Sequence, residues 1–222
     1  MAKTDNAVLQ RVFSFRNFLI IAILGFALLT FFAKKNDYFN FDLSFTLFIQ
    51  RLNVVWFDTL MRFVTFTGDE VPFAILIGLF SMCGYLIGKR KDLLVLFFST
   101  FGGWIISKIL KILVARPRPD PSLIHQIDHF IKADSFPSGH VLGAVSLYGF
   151  LLFIAYTQLK KGVFRNISIS FCFLAIFLMG LSRIYLGAHW FSDVLGAYLL
   201  GFVWLSFMIL IYQRLNPKVK PE

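Results

Sequence analysis

His189 and Asp193 stand four residues apart, so a single helical turn puts them on one face. A carboxylate bonded to imidazole Nδ1 fixes the tautomer and leaves Nε2 free to attack. His140 is a second titratable imidazole, able to protonate a leaving oxygen. It follows Pro137-Ser138-Gly139. A helix opening there offers free backbone N–H groups to an anion, and Gly139 lets a phosphate come close. Lys111, Arg118 and Arg183 add three cations, and guanidinium forks match phosphate oxygens bidentately. A nucleophilic histidine with its orienting acid, a histidine acid and a phosphate clamp are the parts of a phosphomonoesterase site. Each part has a plainer reading when taken alone. Basic side chains near helix ends snorkel to headgroups, as Lys108 and Lys132 are expected to do. Asp193 or Ser192 would serve as a helix N-cap. Ser182 is given a supporting role only. The ordered combination favours chemistry.

Lys111-x6-Arg118-Pro119, Pro137-Ser138-Gly139-His140 and Ser182-Arg183-x5-His189-x3-Asp193 together resemble the three-part signature of the type 2 phosphatidic-acid phosphatase family. These are integral membrane lipid phosphate phosphatases related to the vanadium haloperoxidases. Arg116-Pro117 does not compete for the register, because seven residues before Arg116 stands Ile109, not a lysine. The resemblance implies that His189 is the nucleophile of a phosphohistidine intermediate and that Asp193 orients it. His140 would protonate the leaving lipid oxygen and then activate water. Lys111, Arg118, Ser138, Gly139 and Arg183 would hold the phosphate. The family needs no metal and no cofactor, and the sequence has no carboxylate cluster suited to Mg²⁺. His125, Asp128 and His129 have a spacing that fits a metal, but they sit in an otherwise ordinary amphipathic connection.

These residues need a scaffold, and the composition says where it lies. Of 222 residues, 58% are hydrophobic and 15% charged, with a mean hydropathy of +0.73. That excludes a disordered chain, a disulfide scaffold and an ordinary soluble enzyme. A membrane-spanning helix needs about 20 apolar residues. Six segments qualify: Phe18–Ala33, Val71–Gly88, Leu93 to about Ala115, Ser138–Gln158, Ile167–Leu181 (reaching toward Tyr185) and Val194–Tyr212. The expected fold is an all-α bundle of six spans forming one domain over residues 1–222, with the signature inside 111–193. The first segment reads as a retained signal anchor, since no small-x-small cleavage site follows it. The connection from Lys34 to Glu70 is too long for a turn, and its recurring apolar residues predict one or two amphipathic interfacial helices. Cys83 and Cys172 read as small buried hydrophobes. Gly143, Gly180, Gly196 and Gly201 are expected to allow close helix approach.

The net charge of +10 reads as basic cytoplasmic loops and not as nucleic-acid binding. The compact clusters Lys89-Arg90-Lys91 and Lys160-Lys161 with Arg165 put both termini in the cytoplasm. The connections that hold the signature then face outward. The expected setting is a bacterial inner membrane, and the expected partners are the bilayer and a lipid phosphate; the sequence does not give an oligomeric state. Undecaprenyl pyrophosphate leads the expected substrates, phosphatidylglycerophosphate is a close second, and a lipid A phosphatase or phosphotransferase is a further alternative. The signature reads only the phosphate these lipids share. A different class, a transporter or anionic-lipid binder, would need the cations but not the two histidines with Asp193. Arg116 reads equally as a headgroup contact and as a snorkelling surface cation.

Overall fold

The computed structural model describes residues 2–127 and 134–217, with side chains from Phe15 onward. Eight helices account for most of them: α1 (Ala2–Ala33), α2 (Asn40–Gln50), α3 (Val55–Phe66), α4 (Glu70–Leu86), α5 (Arg90–Val114), α6 (Gly139–Gln158), α7 (Val163–Tyr185) and α8 (Phe191–Leu215). Among the described residues, five helices are long and apolar enough to cross a membrane, or six if α3 and α4 are one span bent by 66°. The all-α expectation holds, and the predicted second span is the one that changes. α4 has only 17 residues and meets the criterion together with α3. The long first connection does contain two helices, α2 and α3.

α6 is the centre of the bundle, in contact with α5, α7 and α8. Val141, Leu142, Ala144, Val145, Leu147, Tyr148 and Phe150 are all buried. A helix apolar and buried on every side belongs at the middle of a bundle. Close approach there depends on missing side chains. A Cβ on Gly201 of α8 would lie 2.7 Å from Val145, and one on Gly103 of α5 would lie 2.7 Å from the Ser146 hydroxyl. α1 packs against α8 and leaves Phe18, Ile21, Leu24 and Leu28 exposed. Such a stripe on a soluble protein would be a binding patch, but on a membrane span it is the lipid face. Cys172 is buried as expected, whereas Cys83 is exposed on α4, because α4 contributes no buried residue to the core.

Two features bring the chemistry together. α2 packs over α7 and α8, and α3 docks Phe57 and Met61 against Tyr185 and Leu186 at the end of α7. The first connection therefore roofs the end of the bundle where α5 stops and α6 and α8 begin. The opposite end is closed by a polar knot, in which the Tyr212 hydroxyl donates to Asp92 at 2.8 Å and Gln158 donates to the other Asp92 oxygen at 3.0 Å.

Candidate active site

Six segments deliver the signature residues to one end of the bundle. Lys111 occupies the last turn of α5. Arg118 lies in the connection after it, Ser138 is the N-cap of α6, and Arg183 lies in the last turn of α7. His189 falls in the short connection between α7 and α8, and Asp193 in the first turn of α8. All the cations act on one point, since His189 feels the charges of Arg118, Lys111 and Arg183 as well as His140.

The first intrahelical bond of α6 runs from Leu142 N–H to the Ser138 carbonyl at 3.1 Å. The N–H groups of Gly139, His140 and Val141 therefore have no intrahelical acceptor. The Ser138 N–H does have one, the Asp193 carbonyl at 3.2 Å, which ties the start of α6 to the start of α8. The Ser138 hydroxyl is buried and bonds no described residue. A donor with that surrounding suits a phosphate oxygen. Lys111 Nζ donates to the Asp134 carbonyl at 2.6 Å, and Arg118 donates to the Ala188 carbonyl at 3.1 Å. Arg183 donates to the Thr65 hydroxyl at 3.2 Å, and Thr65 in turn pairs with Ser182 at 2.9 Å, giving Ser182 its supporting place.

The histidine and its acid are linked differently from the direct bond expected of their spacing. His189 Nδ1 stands 3.7 Å from Asp193 Oδ2, too far for a hydrogen bond. Ser135 fills the gap: its hydroxyl donates to Asp193 Oδ2 and its oxygen lies 3.3 Å from His189 Nδ1. A serine whose proton is committed to the carboxylate can only accept from the ring. This assigns the proton to Nδ1 and leaves the Nε2 lone pair free. Asp193 also accepts the Trp190 N–H at 2.9 Å, so it does cap α8, but from the third helical position and not as the N-cap.

Asp193 is held on its other side by Arg116, the largest departure from the sequence reading. Arg116 is neither a headgroup contact nor a surface cation but is 1% exposed. Its Nη1 donates to Asp193 Oδ1 at 2.6 Å and to Ser192 Oγ at 2.7 Å, and its Nη2 donates to Asp42 at 3.0 Å. Nε donates to the Asn36 and Asp37 carbonyls at 3.2 and 3.1 Å. Asp42 mirrors Asp193. It is the third residue of α2, accepts the Phe39 N–H at 3.1 Å, and takes the Ser192 N–H at 2.8 Å. One buried guanidinium thus joins two buried carboxylates, and α2 becomes part of the site. Asp42 and Ser135 were not singled out in the sequence. The available signal for Ser135 was a hydroxyl three residues before Ser138.

His140 is packed by the turn between α3 and α4. A Cβ on Gly68 would lie 2.6 Å from His140 Cδ2 and 2.9 Å from Met179 Cε. Gly68→Ala is therefore expected to displace the imidazole and lower turnover by about tenfold or more, while the thermal midpoint in detergent moves little. Wild-type turnover in that variant would show that the ring does not need this seat.

His189 lies outside the membrane-spanning helices. Burial first, and then the cations around it, hold its pKa well below the usual histidine range. The neutral, attacking form is thus dominant at neutral pH, and the ring becomes protonated only in stronger acid. The acidic limb of kcat/KM, which reports the free enzyme, is expected below about 6.5, the ordinary histidine value. A limb at or above 6.5 in a pH–rate series would contradict this electrostatic account.

The PAP2 superfamily model matches residues 92–217, more than half of the chain. The chain belongs to the PAP2 superfamily. Among PAP2 relatives, phosphatidylglycerophosphatase B of Bacillus subtilis (strain 168) is 31% identical over 164 residues, 69% of this chain and 74% of the relative. Undecaprenyl-diphosphatase BcrC of the same organism is 30% identical over 164 residues, 69% of this chain and 76% of that one. The fold is shared with the crystal structure of a transmembrane PAP2 type phosphatidylglycerolphosphate phosphatase from Bacillus subtilis, with a TM-score of 0.72, 24% identity, and 91% and 97% of the two chains covered. This PAP2 chain is a multi-pass membrane lipid phosphatase.

Proposed function

We propose that this phosphatase works without a metal and through a phosphohistidine. His189 attacks phosphorus through Nε2, and Asp193 orients it through Ser135. His140 protonates the leaving oxygen and later takes a proton from the attacking water. Lys111, Arg118, Arg183, the Ser138 hydroxyl and the N–H of Gly139 hold the phosphate oxygens and stabilise the charge that grows on them. The observation that carries this reading is the donor chain Ser135–Asp193 beside His189. It leaves one nitrogen lone pair among three cations. A lipid binder or transporter would need the cations but not that chain.

Undecaprenyl pyrophosphate is the proposed substrate, which suits a site on the outer face of a bacterial inner membrane with both termini cytoplasmic. Phosphatidylglycerophosphate is a second reading with equal support, because the relatives named for the two activities are 31% and 30% identical to the chain over equal lengths. The test is phosphate release by purified protein in excess chelator from undecaprenyl pyrophosphate, phosphatidylglycerophosphate and phosphatidic acid in parallel, with His189→Ala as the blank. Release that survives chelation and is lost in the variant supports the mechanism, and the ranking of lipids chooses the substrate. Release that needs a divalent cation rejects the metal-free reading.

A further inference from the structure

Asp69 is the N-cap of α4, yet its side chain makes no capping bond. An N-cap aspartate ordinarily accepts an N–H from the first turn of its own helix. Here Asp69 Oδ1 instead lies 2.9 Å from Nε2 of His140, seventy-one positions away in the chain. The carboxylate stays 51% exposed, while the imidazole is 22% exposed. The other charged or titratable groups acting at this place are Arg183 from α7, Arg118 from the connection before α6, and His189 from the connection before α8. A cationic His140 would stand beside these two guanidinium groups. Asp193 offers no relief, being engaged by Arg116 and Ser135. Asp69 is the carboxylate placed to balance that charge.

We propose that Asp69 is the positioning acid of His140, orienting the imidazole and offsetting the charge of the two arginines beside it. The inference rests on the role given to His140 above. In the first half-reaction the P–N bond to His189 forms as the bond from phosphorus to the leaving oxygen breaks. The proton of the His140 imidazolium passes to that oxygen, leaving His140 neutral. In the second, neutral His140 takes a proton from water while the water oxygen bonds to phosphorus and the P–N bond breaks. Phosphate leaves and the imidazolium is restored. Asp69 matters for the first step, which needs the charged ring, and not for the second, which needs the neutral one. The site so acquires two histidine–carboxylate pairs with opposite tasks. Asp193 works through Ser135 on a neutral nucleophile, and Asp69 bonds directly to a charged acid.

Asp69→Asn keeps the shape and removes the charge. With a short-chain phosphatidic acid, whose alkoxide needs a proton, kcat is expected to fall by about tenfold or more, and the basic limb of kcat/KM to move toward lower pH. With an aryl phosphate, whose phenolate leaves without a proton, turnover is expected to change by less than about threefold. Asp69→Glu returns the carboxylate and brings the basic limb back toward wild type. A wild-type pH profile and a wild-type ratio of alkyl to aryl turnover in Asp69→Asn overturn the proposal. So does an Asp69→Glu variant with the pH profile of the asparagine variant. His140→Ala separates this from the parent reading, since it should lose both esters. If His140→Ala keeps its turnover, the role of His140 is wrong, whatever Asp69 does.

Discussion

His189→Ala is expected to lose turnover by roughly 10⁴-fold or more and to remain folded. The size of the loss follows from the reaction. Without Nε2 no covalent intermediate forms, and the cations are left to bind a phosphate that nothing attacks. Folding should survive because the imidazole carries little of the architecture. Among the described residues its ring has one polar neighbour within hydrogen-bonding range, Ser135 at 3.3 Å, while the position itself is fixed by the backbone bond from His189 N–H to the Arg183 carbonyl at 3.1 Å. Two measurements check this. Rapid quench in base, where the acid-labile P–N bond survives, with a phosphorus-labelled lipid should trap label on the wild-type protein and none on the variant, and the thermal midpoint in detergent should change by only a few degrees. A variant that keeps more than about a tenth of its turnover would place the nucleophile elsewhere.

Arg116→Ala is expected to be the most damaging change outside the reacting groups. Arg116, Asp42 and Asp193 have side chains with no exposure at all. Removing the guanidinium leaves two carboxylates without their counterion in a low-dielectric interior, and breaking a buried pair costs about 3–5 kcal/mol. The thermal midpoint should fall sharply. Activity should fall with it, because Asp193 loses the 2.6 Å donor that fixes one of its oxygens while Ser135 and the Trp190 N–H hold the other. Adding Asp42→Ala removes one of the two stranded charges, and the double variant is expected to recover part of the stability lost in Arg116→Ala. A thermal midpoint for Arg116→Ala equal to wild type, or a double variant less stable than the single one, would contradict the clamp. The pair is thus a mutant cycle in which the sign of the coupling decides the outcome.

Particular residues show how far the sequence could be read. A bilayer demands long apolar helices, and that demand is written in consecutive residues. The five crossing helices and the presence of helices in the first connection were therefore accessible without coordinates. The signature residues were accessible too, since Lys111 and Arg118, or His189 and Asp193, carry their meaning in spacing along one segment. Arg116 shows where local reading stops. Two residues from Arg118, it has the same chemistry and a similar neighbourhood in the chain, yet it points into the protein. Its partners Asp42 and Asp193 lie 74 and 77 positions away. Asp42 sits among the polar residues of an amphipathic helix, where an acid normally faces water. Only the packing of α2 over the start of α8 buries it.

Sequence alone therefore determined the kind of molecule and pointed to the candidate reacting groups. An apolar run or a motif is a local property, and its free energy depends on neighbours a few residues away. The tertiary structure decided what controls those groups: Ser135 between His189 and Asp193, Arg116 behind Asp193, and Asp69 on His140. Each is a polar contact between segments distant in the chain. Such a contact gains its strength from burial, and burial exists only once the helices have packed.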